Sequence, residues 1–110
     1  MTALSGYRLM WMMVLFDLPV GTREERGRAT RFRNFLLDRG FEMSQFSVYL
    51  RFCTGREQAE THVKAIEKSV PKAGKVSIVF FTDKQFEQSI SFVGRGREAN
   101  PKKPEQLALF

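Results

Sequence analysis

Three observations predict an α+β domain with the element order β, α, β, β, α, β and one further strand. An almost unbroken apolar stretch from Tyr7 to Phe16, YRLMWMMVLF, suits a strand covered on both faces. Two Thr-x-x-Glu boxes, Thr22 to Glu25 and Thr54 to Glu57, each open a run with apolar residues at helical spacing. Between and after those runs lie alternating or β-branched segments of strand length. At 110 residues the chain has room for one domain with one core and no large self-contained cleft.

The first strand ends at Asp17-Leu18-Pro19. Helix one then runs from about Thr22 to Arg39, with Ala29, Phe32, Phe35 and Leu36 on one stripe and Gly40 placed to end it. From Phe41 to Phe52 the pattern alternates, but Phe41 and Met43 are out of phase with Phe46, Val48, Leu50 and Phe52. The register must break near Ser44-Gln45, either as two short strands joined by a tight turn or as one bulged strand. Helix two, about Arg56 to Ser69, carries Ala59, Val63, Ile66 and Val70 as its apolar stripe before Pro71 and Gly74. Val76 to Thr82 reads as a strand buried on both faces, Asp83-Lys84-Gln85 as a turn, and Ser89 to Val93 as a short extra strand. This is the ferredoxin-like, split-βαβ order of elements. From Gly94 the composition changes, and Arg95 to Pro104 has no periodicity. The expected organisation is a domain over residues 1–94 and a basic, flexible tail over 95–110 that ends in an apolar motif.

The chain carries a formal charge of +6 and a pI near 9.9, which points to phosphate-bearing partners or an anionic surface. Its one cysteine, Cys53, excludes an intrachain disulfide and a multi-cysteine zinc site, and fits a reducing, cytoplasmic setting. One histidine, His62, leaves little for metal chemistry. The apolar run from Leu9 to Phe16 is far shorter than the roughly 20 residues of a membrane span, so no membrane partner is expected.

Several residues are candidates for function. At 100° per residue, Arg23, Arg26, Arg31 and Arg33 project opposite the Phe32/Leu36 stripe and make a basic face. That face either binds phosphates or is solvated and neutralised by Glu24 and Glu25. Arg28 falls nearer the apolar stripe, as a flanking residue. Arg95 and Arg97 add basic charge at the start of the tail. Asp17 is the carboxylate at the end of the predicted central strand. It either takes part in chemistry or organises Leu18-Pro19 as an Asx turn. Mg²⁺ takes about six oxygens, so one Asp would need waters, substrate phosphates or its own copy across a symmetric dimer to complete the shell. Cys53 is assigned to packing and His62 to the helix surface. Tyr49 and Arg51 share a strand face, directed at a ligand, a second subunit or the helices. The alternating Ile90 and Phe92 need a partner surface once four strands are already in place, which predicts a homodimer.

Taken together, four stretches resemble the small CRISPR-associated endoribonuclease and integration-adaptor family, the lesser partner of the spacer-acquisition integrase. They are the strand closing on Phe16-Asp17-Leu18-Pro19, the helix pattern Arg28, Phe32, Leu36, the stretch from Ser44 to Tyr49, and Thr82 to Phe86. The resemblance implies a ferredoxin-like fold and a homodimer in which the strand after the fourth completes the neighbour's sheet. It implies a role bridging two integrase dimers on a short DNA duplex. It further implies Mg²⁺ held by Asp17 as catalytic and metal-binding residue, facing its copy across the dyad, since some members cleave single-stranded RNA or DNA with a metal. Met43 stands where several archaeal-type members carry Arg, and Tyr49 where the family often has Phe.

Three functions follow from these readings. The first is a non-catalytic nucleic-acid-binding dimer of a spacer-integration complex, the second a Mg²⁺-dependent phosphodiesterase, and the third an unrelated ferredoxin-like regulatory module. The C-terminus, with Gln106, Leu107, Leu109 and Phe110, resembles the peptide by which bacterial proteins dock on the replicative sliding clamp. The alternatives for this tail are packing on the domain itself or contact with the integrase.

Overall fold

In the computed structural model, which describes residues 10–100, the apolar stretch forms β1 (Met10–Asp17) and the first capping box opens α1 (Arg23–Asp38). A hairpin of β2 (Glu42–Gln45) and β3 (Val48–Cys53) leads into α2 (Arg56–Ser69) and β4 (Lys75–Thr82). A short α3 (Asp83–Glu87) and a second hairpin, β5 (Ser91–Val93) and β6 (Gly96–Glu98), complete the described chain. The first four strands form one antiparallel sheet in the order β2-β3-β1-β4, so each helical crossover passes over one strand. The mixed α+β class with β1 in the centre is therefore as the sequence predicts.

Local chemistry explains the boundaries. Thr22 Oγ1 accepts from the Glu25 N–H at 3.1 Å, and Glu25 Oε1 accepts from the Thr22 N–H at 2.9 Å. Two donors that the helix start would leave unpaired are thus satisfied. Gly40, at φ 85°, turns the chain out of α1, and the Phe41 N–H closes back on the Leu36 carbonyl at 3.0 Å. The phase break between Met43 and Phe46 is met by a register shift between Met43 and Gln45, followed by the turn Phe46-Ser47 with Ser47 at φ 64°. Hairpin and irregularity occur together.

The two faces of the sheet are buried differently. Met10, Met12 and Val14 of β1 join Tyr49, Cys53, Phe32, Leu36 and Ile66 in a core beneath α1 and α2. On the other face Trp11 packs with Leu50, Phe52 and Phe86, the last supplied by α3. The Trp11 ring lies 4.5 Å from Phe86 and 5.2 Å from Phe52, and its Nε1–H donates to Asp83 Oδ1 at 3.0 Å. Burying a side chain such as Phe86 stabilises by roughly 1.5–3 kcal/mol, enough to hold a five-residue helix that could not persist alone.

The structure corrects several expectations. Thr54 does not cap α2, because the intervening Gly55 is the N-cap and Glu57 falls one position too early to close a box. Instead the Thr54 N–H donates to Gln58 Oε1 at 2.9 Å. Asp83 to Gln85 belongs to a helix whose capping box is Thr82 with Gln85, rather than to a plain turn. β4 is an edge strand, not one buried on both faces, and Val79 is 41% exposed. The extra strand begins at Ser91 instead of Ser89. Residues 96–98, expected as tether, pair with it, placing Phe92 opposite Arg97. The Asn100 side-chain amide then donates to the carbonyls of Phe86, Glu87 and Ser89. Tyr7 to Leu9 and the tail motif Gln106, Leu107, Leu109, Phe110 lie outside the described residues. Among the described residues, no helix is long and apolar enough to cross a membrane.

Candidate functional site

Asp17 closes β1 on the sheet face turned away from α1 and α2, because odd positions of that strand, Trp11, Met13, Leu15 and Asp17, share one side. Coverage falls along the strand: Trp11 is buried, Leu15 half-buried and Asp17 exposed. Backbone contacts fix the end of the strand from both sides. The Phe16 N–H donates to the Ser47 carbonyl at 3.0 Å, which ties the Phe46-Ser47 turn beside Asp17. On the other side Asp17 is in register with Lys75. The result is a shallow depression of about 350 Å³ lined by Leu15, Asp17, Phe46, Ser47, Lys75 and Ser77. Phe46 stands 89% exposed at its rim. The stretch from Ser44 to Tyr49 and the strand-end Asp17, separate in sequence, thus meet in one place.

The Asp17 carboxylate makes no hydrogen bond or ion pair with a described residue, so an Asx turn over Leu18-Pro19 is not formed. Nor does one chain fit Mg²⁺. The depression offers a single carboxylate, the hydroxyls of Ser47 and Ser77, and a lysine in register with Asp17. Among the described residues no group of three or more His, Cys, Asp or Glu side chains could hold a metal, against the near-octahedral oxygen shell that Mg²⁺ demands.

Arg23, Arg26, Arg31 and Arg33 are all exposed on α1, opposite the buried Phe32 and Leu36. Arg26 donates through Nη1 to the Val20 carbonyl at 3.3 Å, which holds it over the β1–α1 connection. None of the four pairs with Glu24 or Glu25; the ion pair among the described residues is Arg56 with Glu60, on α2. Half-buried Arg28 joins Arg31, Phe32, Phe35, Ser69 and Pro71 around a cleft of about 290 Å³. Arg95, Arg97 and Phe92 are exposed on the second hairpin, and Ile90 is exposed just before it.

Two assignments from sequence divide here. Cys53 is packed in the core as expected, and burial pushes its thiol up to about 11, outweighing the opposite pull of Arg51. His62, expected on the helix surface, is 6% exposed. Its Nδ1 lies 3.1 Å from Arg39 Nε and its Nε2 lies 2.8 Å from Arg51 Nε. Burial, then Arg51, then Arg39 hold the imidazole down to about 4. The signal was present, since His62 falls three residues after Ala59 and four before Ile66, in phase with the buried stripe. Tyr49 and Arg51 face the helices, the third of the possibilities the strand pattern left open.

Comparison with known proteins gives a consistent result. The family described as CRISPR associated protein Cas2 matches residues 10–89. A Paracidovorax avenae protein named CRISPR-associated endoribonuclease Cas2 is 60% identical over 107 residues, covering 97% of this chain and 99% of its own. A Flavobacterium psychrophilum protein of the same name is 49% identical over 109 residues, covering 99% and 95%. A crystal structure of a Cas2 protein superposes with a TM-score of 0.58 at 24% identity, over 80% of this chain and 90% of the other, and so bears on the fold alone.

Proposed function

This chain belongs to the CRISPR-associated Cas2 family, and we propose that it works as a homodimeric, cytoplasmic nucleic-acid-binding protein of spacer acquisition, its ferredoxin-like protomers bridging the integrase on short duplex DNA. The observation that carries the reading is the α1 face, where Arg23, Arg26, Arg31 and Arg33 are exposed and none forms an ion pair with a described residue. Such a row supplies phosphate contacts that are strong, salt-dependent and indifferent to sequence. The dimer draws support from two apolar surfaces. One is the outer end of the sheet, with Leu15, Val48 and Val79; the other is the second hairpin with Ile90 just before it, where Ile90 and Phe92 are exposed and the two strands, among the described residues, pair with each other alone.

The test is duplex binding as a function of salt for wild type and for Arg23→Glu, Arg26→Glu. If both side chains contact phosphate, the slope of log K against log salt falls by roughly 2 per protomer. An unchanged affinity and slope would overturn the assignment of this face.

A second reading, metal-dependent phosphodiester hydrolysis, is favoured by the endoribonuclease names of the relatives and by the exposed, unengaged Asp17 carboxylate. A second copy laid on the outer sheet face would bring two Asp17 residues near one dyad and supply the carboxylate that a single chain lacks. Mg²⁺, when bound there, supplies an activated water and charge stabilisation for the leaving oxygen. Asp17 would hold the ion, while Ser47 and Gly74 fix the backbone that aims it. Asp17→Asn is then expected to bind duplex as wild type does and to lose all metal-dependent cleavage of RNA or DNA; cleavage that survives in the purified variant removes Asp17 from this role.

A further inference from the structure

On the helix-covered face of the sheet, three nitrogen-rich side chains from three different elements converge. Arg51 comes from β3, Arg39 is the residue that ends α1, and His62 comes from α2. Arg51 pairs in register with Met12, five residues back along β1 from Asp17 and on the other side of the sheet, so this cluster is separate from the strand-end site.

Its hydrogen-bonding chemistry does not balance. Both guanidiniums present an Nε–H to the ring, Arg51 to Nε2 at 2.8 Å and Arg39 to Nδ1 at 3.1 Å. A neutral imidazole has one lone pair and one N–H, and an imidazolium has two N–H groups and no lone pair. Whichever tautomer forms, at least one arginine donor faces another donor, around a ring that is 6% exposed. The shorter contact assigns the lone pair to Arg51 and leaves Arg39 opposite an N–H.

Among the described residues, no carboxylate supplies the missing acceptor. Neither arginine forms an ion pair with a described residue, and the last carbonyls of α1, from Phe35, Leu36 and Leu37, are occupied by the N–H groups of Arg39, Gly40 and Phe41. The groups that face His62 are Arg39 from α1, Arg51 from β3 and the edge-on ring of Phe41, 5.5 Å away. The arrangement is also held in place. Arg39 lies over the Phe35 ring at 5.9 Å, and Gly40, at φ 85°, sits beside Arg51, whose guanidinium a Cβ there would touch at 3.4 Å.

We propose that Arg39, Arg51 and His62 form a binding site for a phosphate group, whose oxygens accept from both guanidiniums and from the ring. A tetrahedral oxyanion suits this set because each arginine presents a planar fork of donors and the phosphate brings only acceptors. Its charge reverses the effect of the two cations on the imidazole, so phosphate binding is coupled to proton uptake by His62. A phosphate of bound nucleic acid and free inorganic phosphate offer the same chemistry. Only the first source rests on the function proposed above.

His62 is the one histidine of the chain, so its ring nitrogens are unambiguous in heteronuclear magnetic resonance of the full-length protein. The experiment titrates sodium phosphate to about 50 mM, enough to saturate a millimolar site, against sodium chloride at matched ionic strength. Phosphate alone is expected to shift both ring nitrogens saturably and to raise the ring's titration midpoint by about one pH unit or more. Arg39→Gln, with folding checked by circular dichroism, is expected to abolish the difference between the two salts. Identical behaviour of the wild-type ring in phosphate and chloride overturns the proposal. A second arm adds a short duplex with or without terminal phosphates. A response to the phosphorylated duplex alone assigns the site to a strand end, and an equal response to both assigns it to the backbone. A response to inorganic phosphate but to neither duplex assigns it to the free ion. Duplex that fails to bind at all counts against the proposed function and leaves the phosphate site standing.

Discussion

Gly74 is pressed against the backbone of Asp17: a Cβ at Gly74, which has φ 94°, would lie 2.6 Å from the Asp17 carbonyl oxygen. The close approach lets β4 begin in register with the end of β1, so Lys75 faces Asp17 across the ladder. Gly74→Ala is therefore expected to destabilise the fold by roughly 2–4 kcal/mol, from a left-handed backbone worth about 1–2 kcal/mol and a contact that must open. Urea denaturation measures this, and a loss below about 0.5 kcal/mol, the range of neutral surface changes, would contradict the contact.

Stability should fall on mild acidification. His62 is held down to about 4 from 6.5, first by burial and then by Arg51 and Arg39. Between those values the unfolded chain binds a proton that the folded chain does not, so the stabilisation is complete above about 6.5 and is lost as pH falls toward 4. The full shift corresponds to about 3 kcal/mol, and discounting for solvent at the half-open arginine rim leaves roughly 1–2 kcal/mol. Denaturation in chloride buffers across this window should show that slope in wild type and a shallower one in His62→Gln.

Cys53 should resist alkylation while the protein is folded. Its thiol is buried in the core and pushed up to about 11, so almost none is thiolate at neutral pH. Mass spectrometry of iodoacetamide-treated protein near pH 8 is expected to show modification about a hundredfold slower than in denaturant. Equal rates would place the thiol outside the core.

Ile90→Asp with Phe92→Asp should convert the proposed dimer to a monomer without unfolding it. These side chains are 57% and 64% exposed, on or beside a hairpin that joins no other strand of the described chain. Multi-angle light scattering with circular dichroism separates the outcomes. A dimer of unaltered affinity would assign the interface to the outer sheet face alone.

Most patterns that act locally were legible in the sequence, the Thr54/Glu57 box being the exception, since Gly55 takes the cap position. The run from Met10 to Phe16, the Thr22/Glu25 box and Gly40 each report a state of the backbone set within a few residues, and each element they predict is present. The place of Asp17 at the end of a central strand follows from that run. What was not legible depends on neighbours. The β-branched run around Val79 fits an edge strand as well as a central one, because the run does not say how many strands flank it. Thr82 and Gln85 do form a readable box, but a five-residue helix is too short for periodicity to speak. The convergence of Arg39, Arg51 and His62 has no linear signature, since sheet order and helix packing create it. Only the phase of His62 with Ala59 and Ile66 pointed inward, and its polar ring obscured that reading.

The central position of β1 also sets the order in which the molecule comes into being. The two ladder partners of this apolar segment, β3 and β4, both follow it in the chain, and the second is complete only at Thr82. At about 5–20 residues per second, the strand waits roughly 3–13 s on the ribosome for the roughly 65 residues that finish its pairing. Both edges of MWMMVLF stay open until β3 is made, and the edge that meets β4 stays open until Thr82, so this β-prone segment is incompletely paired throughout that interval. The nascent chain thus offers a binding sequence to holding chaperones before its sheet is complete.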